Sequence, residues 1–239
     1  MMCYKEEDSV RFSHIGRQWH IYRADMETLW ANMDNDREAL QAFYDDERLP
    51  YWAELWGSSF GLASWLWRNR DILKGLSCMD LGCGLGFTAL CGVHCGAKVL
   101  ACDYEENALN LARFNALKNA VPFCDDIREF QETNSASLRT LKLDWRNPCV
   151  EQKAFSFIWA ADIAYEKKSM PEILTFLDYA LTDEGVFWIA EPGRSIYQHF
   201  LTEANNFSFS VEKVYTEISP KISEQILPAG VNVWELRRK

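Results

Sequence analysis

The segment Asp80-Leu81-Gly82-Cys83-Gly84-Leu85-Gly86 joins a short apolar run at residues 76–81 to a stretch whose apolar residues have helical spacing. Glycines between a strand and a helix permit a tight turn and let a ligand approach the backbone closely. Asp103 ends the next apolar run, about 20 residues further on, where a ribose-binding acid lies in nucleotide-binding folds. Loop, helix, strand and acid together predict a cofactor site, whereas the glycines alone would predict only a turn.

The spacing of these glycines separates two cofactors. A dinucleotide-binding loop has the pattern GxGxxG, in which a helix N-terminus faces a pyrophosphate. Here the glycines follow GxGxG, and Asp80 precedes them. This pattern resembles motif I of the class I methyltransferases that use S-adenosylmethionine (AdoMet), in which the loop passes the methionine part of a ligand without phosphate. NAD is the less favoured alternative.

Strands and helices are predicted to alternate through most of the chain. The apolar run at residues 76–81 ends in glycines. Further runs end at or just before an acid, at residues 98–103, 138–143, 155–161 and 186–190. Runs that are apolar on both faces indicate a parallel sheet covered by helices on both sides. Two further strands, at residues 207–218 and 231–236, lack a long helix between them, which predicts an antiparallel pair.

Local signals predict the flanking elements. Residues 10–12 and 18–22 surround a turn that contains Gly16, which favours an N-terminal β-hairpin, and residues 24–44 are predicted to be helical. Ser169 and Glu172 have the spacing of a capping box. This box would open a helix that turns the following apolar residues inward: Ile173, Leu177, Ala180 and Leu181.

Polar and aromatic residues follow the predicted strands at their carboxyl ends. The indole in Asp144-Trp145 can stack on an adenine, worth about 1–3 kcal/mol by analogy with base stacking. Asp144 can accept a hydrogen bond from the adenine amino group. Asp162-Ile163-Ala164-Tyr165 follows the next strand. Ligands of open α/β sheets bind beyond these ends, so we expect the acids to share one edge with Asp103. Glu191, one strand later, is interpreted as a loop residue or helix cap.

Five segments occur in a recognisable order: Pro50-Tyr-Trp-Ala-Glu-Leu-Trp56, residues 80–86, Asp103, Asp144-Trp145 and Ala161-Asp162-x-x-Tyr165. Together they resemble the seven-β-strand protein lysine methyltransferases that carry a DxxY motif. The resemblance covers roughly residues 10–191.

The resemblance implies a fold as well as an activity. The expected class is α/β, with a Rossmann-like, seven-stranded, mostly parallel sheet and helices on both faces. An antiparallel strand pair lies near the C-terminus, and a β-hairpin with a helical extension precedes the sheet. We expect a single methyltransferase domain over residues 1–239, in which residues 1–55 form the N-terminal extension and residues 56–239 the AdoMet-binding core.

The same resemblance assigns residues to roles. AdoMet is the expected cofactor and S-adenosylhomocysteine (AdoHcy) the product. The expected cofactor-binding residues are Trp56, Gly82, Cys83, Gly84, Asp103, Tyr104, Asp144, Trp145 and Ala161. Asp162 and Tyr165 are the expected catalytic residues and face the acceptor amine. Tyr51 and Trp52 are the expected substrate-binding residues.

A lysine acceptor must lose a proton before it reacts. At a reference pKa of about 10.4, on the order of one amine in a thousand is neutral at pH 7. An aromatic pocket made of Tyr51, Trp52 and Tyr165 would lower that pKa by desolvation. Asp162 would attract and orient the ammonium but would also hold its proton. We therefore expect Asp162 to align the acceptor, with the proton passing to water before transfer.

Composition narrows the partners. The formal charge is −10, so a nucleic acid would be repelled and a cationic acceptor attracted. We expect a protein substrate that bears a lysine, no nucleic acid and no membrane partner, and a monomer. The first ten residues include four charged ones, at positions 5–8, and no apolar segment of a signal peptide. No apolar run is long enough to span a bilayer either, so the sequence predicts a cytoplasmic protein.

The eight cysteines are interpreted as reduced thiols, because no pair has CxxC spacing. Cys91, His94 and Cys95 share a helical stripe that we assign to the core, so no metal site is expected. Two alternatives stay open beside lysine methylation. One is a small-molecule amine N-methyltransferase on the same fold, and the other is a non-catalytic AdoMet-fold protein that binds a partner.

Overall fold

The structure of the chain is a computed structural model that describes residues 9–25, 29, 50–222 and 227–239. The helix predicted at residues 24–44 falls almost entirely outside these residues and stays a prediction. The hairpin is confirmed: strands β1 (Ser9–His14) and β2 (Arg17–Tyr22) pair antiparallel around the turn at Gly16.

One sheet of seven strands follows the hairpin. In chain order its strands are β3 (Ser77–Leu81), β4 (Lys98–Asp103), β5 (Ser137–Lys142), β6 (Phe155–Ala161), β7 (Leu181–Glu191), β8 (Phe209–Ile218) and β9 (Gly230–Arg238). In space their order is β5-β4-β3-β6-β7-β9-β8. Strands β3 to β7 are parallel, and β9 runs antiparallel to β7 and β8. This sheet is the predicted one.

Helices cover both faces of the sheet. Within the described residues they are α1 (Gly57–Arg68), α2 (Arg70–Leu73), α3 (Phe87–His94), α4 (Glu106–Lys118), α5 (Ile127–Glu132), α6 (Met170–Ala180) and α7 (Ile196–Phe207). Short 3₁₀ turns lie at Tyr51–Ala53 and Lys167–Ser169. The core residues of α1, α3, α4 and the hairpin form one buried cluster, and those of α6 and α7 form a second.

The strands between these layers alternate between the two clusters. In β3, Cys78 belongs to the first cluster and Met79 to the second, and in β4 the same is true of Val99 and Leu100. Because both faces of these two strands are buried, their sequences are largely apolar at consecutive positions instead of at every second one. Cys91 and Cys95 are buried in the first cluster, as expected of core residues.

The strand order places a cleft beside the glycine segment. From β3 the chain passes outward to β4 and β5, and it then returns to β6 on the other side of β3. The connections that leave β3 and β6 therefore diverge at their carboxyl ends. Such a switch point is where open α/β sheets bind ligands.

Two asparagines join the hairpin to the sheet: Asn115 in α4 and Asn119, the residue that follows the end of this helix. Asn119 accepts from the backbone N–H of His20 and donates to its carbonyl, at 2.9 and 2.8 Å. Asn115 does the same with Tyr22, at 2.8 and 3.1 Å, and also donates to the Leu85 carbonyl in the glycine segment at 2.9 Å. The side chains thus pair with the free edge of β2 as a neighbouring strand would.

The structure corrects two local predictions. Ser169 has helical backbone angles, φ −88° and ψ −11°, so its hydroxyl does not cap α6 but donates to the Glu166 carbonyl. The capping box with Glu172 is therefore wrong, because an N-cap needs an extended backbone. Leu181 begins β7 and does not continue the helix.

Strand β8 also begins at Phe209, two residues later than predicted, since α7 continues to Phe207. No helix in the described part of the chain is long and apolar enough to cross a bilayer.

Candidate active site

A cavity of about 380 Å³ opens at the carboxyl edge of the sheet. All thirteen residues that the sequence assigns to cofactor, catalysis or substrate line it: Tyr51, Trp52, Trp56, Gly82, Cys83, Gly84, Asp103, Tyr104, Asp144, Trp145, Ala161, Asp162 and Tyr165. Glu191 does not line it. The turns after β3, β4, β5 and β6 therefore converge as the predicted parallel sheet requires.

The glycine segment requires glycine at two positions for different reasons. Gly82 has φ +68°, and a Cβ there would lie 2.7 Å from Cγ2 of Ile163, so a side chain would collide with the segment after β6. Gly84 has φ +50°, and its Cβ would lie 3.2 Å from the carbonyl oxygen of Trp52. These positive φ values also disfavour any other residue. The backbone of the segment is thus held between two walls of the cavity.

Asp103 fixes this segment from β4. Its Oδ2 accepts from the Gly84 N–H and its Oδ1 from the Glu105 N–H, each at 2.9 Å. Each oxygen keeps lone-pair capacity for a further donor in the cavity. Burial raises the pKa of Asp103 to about 6, against the lowering effect of these backbone donors.

Asp80 lies beneath the same segment. It is fully buried, and the Thr88 hydroxyl donates to its Oδ2 at 2.6 Å. Desolvation raises the pKa of Asp80 to about 7. Burial likewise raises the pKa of the Cys83 thiol well above its usual range, so this cavity residue is neutral. The floor of the cavity therefore carries less charge at neutral pH than its composition suggests.

The segment after β5 is polar and partly exposed. Arg146 forms an ion pair with Asp144, at 2.8 Å between Nη2 and Oδ2, and its Nε donates to Oδ1 at 2.9 Å. The guanidinium also lies 5.9 Å from the centroid of the Tyr104 ring. An adenine amino group would share Asp144 with Arg146, a competition that the sequence did not predict. Trp145 packs against the core cluster of α6 and α7.

Aromatic rings form the wall beside the DxxY segment. The rings of Tyr51 and Tyr165 meet edge to face with centroids 5.3 Å apart, and Tyr51 contacts Trp56 in the same way at 6.0 Å. The Trp56 indole N–H donates to the Tyr51 carbonyl at 2.9 Å. Burial raises the pKa of Tyr165, so its hydroxyl stays protonated and able to donate. Trp52 is only half-buried and packs on the first core cluster.

Asp162 is held in an unusual backbone conformation. Its N–H donates to the Ala190 carbonyl of β7 at 2.9 Å, and its φ is then +57°, in the left-handed region. Aspartate is among the few residues that tolerate this region. Burial raises the pKa of the Asp162 carboxyl, and Arg194 is the largest influence that lowers it. In this backbone conformation the largely buried Asp162 carboxylate forms part of the cavity lining.

Sequence reasoning missed two partners of Asp162, namely Arg194 and Tyr197. Arg194 forms an ion pair with Asp162 at 3.3 Å, and the Tyr197 hydroxyl donates to it at 3.1 Å. Both follow β7, on the same edge of the sheet as the predicted acids. Their position after a parallel strand is a usable signal, although the sequence pattern singles out only Glu191 there.

The residues present fit AdoMet. The glycine segment brings its backbone directly to the cavity between Ile163 and Trp52, and any residue with a Cβ at Gly82 or Gly84 would push against these two walls. Asp103 lies one strand away with acceptor capacity for two ribose hydroxyls, and Trp145 offers a ring beside it.

The comparisons with known proteins agree on one family. The model of a family described as "lysine methyltransferase" matches residues 35–207. Protein N-lysine methyltransferase METTL21A of Xenopus tropicalis is 24% identical over 171 residues, which are 72% of this chain and 74% of that protein. Electron transfer flavoprotein beta subunit lysine methyltransferase of Xenopus laevis is 29% identical over 149 residues, 61% of this chain and 54% of the relative.

Solved structures show the same fold. A SAM dependent methyltransferase from Aquifex aeolicus superimposes with a TM-score of 0.55 at 13% identity, covering 90% of this chain and 99% of that one. At such low identity the likeness concerns the fold alone. It includes the central sheet whose carboxyl edge holds the cavity.

Proposed function

The chain belongs to the lysine methyltransferase family, whose model spans residues 35–207, and we propose that it transfers the methyl group of AdoMet to the side-chain amine of a lysine in another protein. The chain is an AdoMet-dependent methyltransferase. The observation that carries the proposal is the convergence of all thirteen predicted residues on one cavity at the carboxyl edge of the sheet.

The cofactor is proposed to lie along the first part of the cavity. The backbone at Gly82 and Gly84 would face its methionine part, Asp103 would accept from its ribose hydroxyls, and Trp145 would stack on its adenine. Trp56, Cys83, Tyr104, Asp144 and Ala161 complete the proposed cofactor site. AdoMet supplies a methyl group already activated on a sulfonium, so this chain mainly aligns the two reactants and excludes water.

The DxxY segment is proposed to receive the acceptor. Tyr51 and Tyr165 contact each other edge to face and would form one side of a narrow channel for the lysine side chain. Asp162 would accept a hydrogen bond from one N–H of the amine and the phenolic oxygen of Tyr165 would accept one from the other, which leaves the amine lone pair free to attack the methyl group. Aromatic desolvation lowers the pKa of an entering lysine, which increases its neutral, nucleophilic fraction. Trp52 is proposed to contact the same stem.

A protein acceptor is favoured over a small amine. The family match and the two named relatives all refer to lysine methylation. We further propose that the chain acts as a monomer on a cytoplasmic protein and not on a nucleic acid. The seven cysteines in the described residues are all free, which is typical of a reducing compartment.

Labelling of a cell lysate tests the acceptor class. The enzyme is incubated with tritiated AdoMet and lysate, and protein is then separated from small molecules. We expect label in a discrete protein band and, by peptide mass spectrometry, one to three added methyl groups on a lysine. Label that remains with free metabolites, or that maps to a carboxylate or a base while every lysine is unmodified, would contradict the proposal.

Variants of the DxxY segment test the roles. Asp162→Asn and Tyr165→Ala should slow labelling of that band by about 100-fold, because the acceptor is no longer aligned. Calorimetry should show AdoHcy affinity within a few-fold of the unchanged protein. Asp71→Asn removes one exposed carboxylate from α2, away from the cavity, and is the matched control. Unchanged labelling by both variants would show that Asp162 and Tyr165 do not act on the acceptor.

A further inference from the structure

Arg194 pairs with Asp162 from outside the cavity. Its Nη2 lies 3.3 Å from Oδ2, and its Nη1 donates to Oδ1 at 3.3 Å. The Asp162 side chain is 4% exposed and the Arg194 side chain 43% exposed. Arg194 is also absent from the residues that line the cavity. The guanidinium therefore reaches a buried carboxylate from the solvent side and leaves the cavity side to a ligand.

Tyr197 adds a second donor on the same side. Its hydroxyl accepts from the Ala164 N–H at 3.3 Å and donates to Asp162 Oδ1 at 3.1 Å. Because the backbone donor occupies the phenolic oxygen, the hydroxyl proton is directed at the carboxylate. Oδ1 thus accepts from both Arg194 and Tyr197, whereas Oδ2 contacts Arg194 alone and keeps capacity for another donor.

The turn that carries Arg194 is anchored at its base. Glu191, buried at the end of β7, accepts from the Gly193 N–H and from the side chains of Asn232 and Trp234, the last two at 2.8 and 3.1 Å. The Arg194 guanidinium lies 5.6 Å from the centroid of the Trp56 ring. These contacts hold the guanidinium between an aromatic face and the acid.

The charge at Asp162 matters for the reaction. A lone carboxylate beside the acceptor would stabilise the ammonium and oppose loss of its proton. The charged or titratable groups that face Asp162 are Arg194, Tyr197, Glu191 and Tyr165. Arg194 is the cation among them, and burial keeps both phenols neutral.

We propose that Arg194 is a positioning residue that neutralises Asp162, so that the acceptor lysine is held as the neutral amine with one N–H bond directed at Asp162. The inference rests on the proposed function of the DxxY segment. The ion pair has no excess negative charge with which to retain the proton of the entering ammonium, so that proton passes to water. The free capacity of Oδ2 still orients the amine.

The pH dependence of labelling tests the inference. In Arg194→Met, Asp162 is uncompensated and the acid–amine pair holds one proton to higher pH. Labelling of the lysate band at pH 7 should fall about tenfold, and the difference should shrink to within about twofold near pH 9.5. For the purified acceptor protein at pH 7, both KM and kcat of Arg194→Met should be lower than those of the unchanged enzyme, since the variant binds the ammonium form more tightly. Arg194→Lys, which keeps the charge, should restore the wild-type profile.

Carbon-13 NMR of the carboxyl group gives a readout that needs no acceptor. The Asp162 signal, assigned by its loss in Asp162→Asn, should titrate at higher pH in Arg194→Met than in the unchanged protein. An unchanged titration, or an Arg194→Met rate–pH profile parallel to that of the wild type, would overturn the inference and leave the proposed function standing. A rise in KM that Arg194→Lys does not restore would indicate a structural role and also overturn it. Absence of any lysine label with the wild-type enzyme would instead overturn the proposed function.

Discussion

At the scale of single residues, we expect Asp103 to make cofactor binding depend on pH. Its carboxylate holds the Gly84 N–H, yet burial raises its pKa to about 6. Donation from ribose hydroxyls favours the charged form of an acid. In the proposed cofactor site, AdoHcy would therefore bind best to the deprotonated Asp103, a form that becomes unfavourable as the pH falls through about 6.

We expect the AdoHcy affinity measured by calorimetry to be constant above this pKa and to fall below it, up to about tenfold per pH unit. Asp103→Asn should bind AdoHcy more weakly by about 1.5–3 kcal/mol at pH 7.5. It should also lose most of the pH dependence. Any slope that remains in this variant belongs to Asp80, whose pKa is raised to about 7. A wild-type affinity that does not change between pH 5 and 7.5 would refute this assignment.

At the scale of elements, α4 connects the hairpin to the glycine segment through one side chain. Asn115 is fully buried and satisfies both backbone groups of Tyr22 and the carbonyl of Leu85. Leu85 lies between Gly84 and Gly86, so the hairpin and the cofactor loop share a single polar anchor. Loss of the anchor leaves buried backbone groups without partners.

Asn115→Ala should lower the free energy of unfolding by about 2–4 kcal/mol, as measured by urea denaturation. It should also weaken AdoHcy binding. Asn119→Ala removes two bonds to the hairpin and one to the Asn115 carbonyl but none to the glycine segment, so it should destabilise the fold while AdoHcy affinity is retained. Asn110→Ala alters an exposed residue of the same helix and should change stability by less than about 0.5 kcal/mol. Equal AdoHcy affinity in the Asn115 and Asn119 variants would show that the bond to Leu85 does not matter for the loop.

The sequence predicts the elements and the lining of the cavity because both depend on local patterns. A parallel strand ends where its apolar run ends, so acids such as Asp103 and Asp162 had to meet at one edge. Arg194 and Asn115 were not predicted, because their roles depend on partners distant in sequence. From its sequence position in an amphipathic helix, Asn115 would be predicted at the surface. It is buried only because the hairpin packs over it and bonds to its side chain. The capping box failed because the 3₁₀ turn before α6 gives Ser169 helical angles.

At the scale of the whole molecule, negative charge is concentrated at the cavity. The chain has a formal charge of −10. Seven carboxylate residues line the cavity against two cationic ones, Arg146 and Lys168. Arg194 and Arg23 pair with two of the seven, Asp162 and Glu54, from outside the lining, which leaves a formal excess of three negative charges. A low-dielectric cleft lined by one sign of charge focuses the field that a ligand meets. The molecule therefore attracts a cationic acceptor to the edge where the DxxY segment lies.

This attraction should appear in the association step and weaken with salt. The Debye length falls from about 10 Å at 0.1 M salt to about 3 Å at 1 M, so charges at the rim are screened before buried pairs are. Between about 0.05 and 0.5 M NaCl we expect kcat/KM for the purified lysine-bearing protein to fall several-fold while kcat changes little. The calorimetric affinity for AdoHcy, which has no net charge, should stay nearly constant.

A pair of single substitutions separates the local field from the total charge. Glu166→Gln removes one carboxylate from the cavity lining, and Glu151→Gln removes one from an exposed position elsewhere. Both change the net charge equally, yet the salt dependence of kcat/KM should become shallower only in the Glu166 variant, because screening acts over short distances. If both variants lost the same fraction of the slope, the total charge and not the cavity would steer the acceptor. If kcat/KM rose with salt, the acceptor would carry negative charge at its point of contact, and a cationic lysine segment would no longer explain the acidic edge.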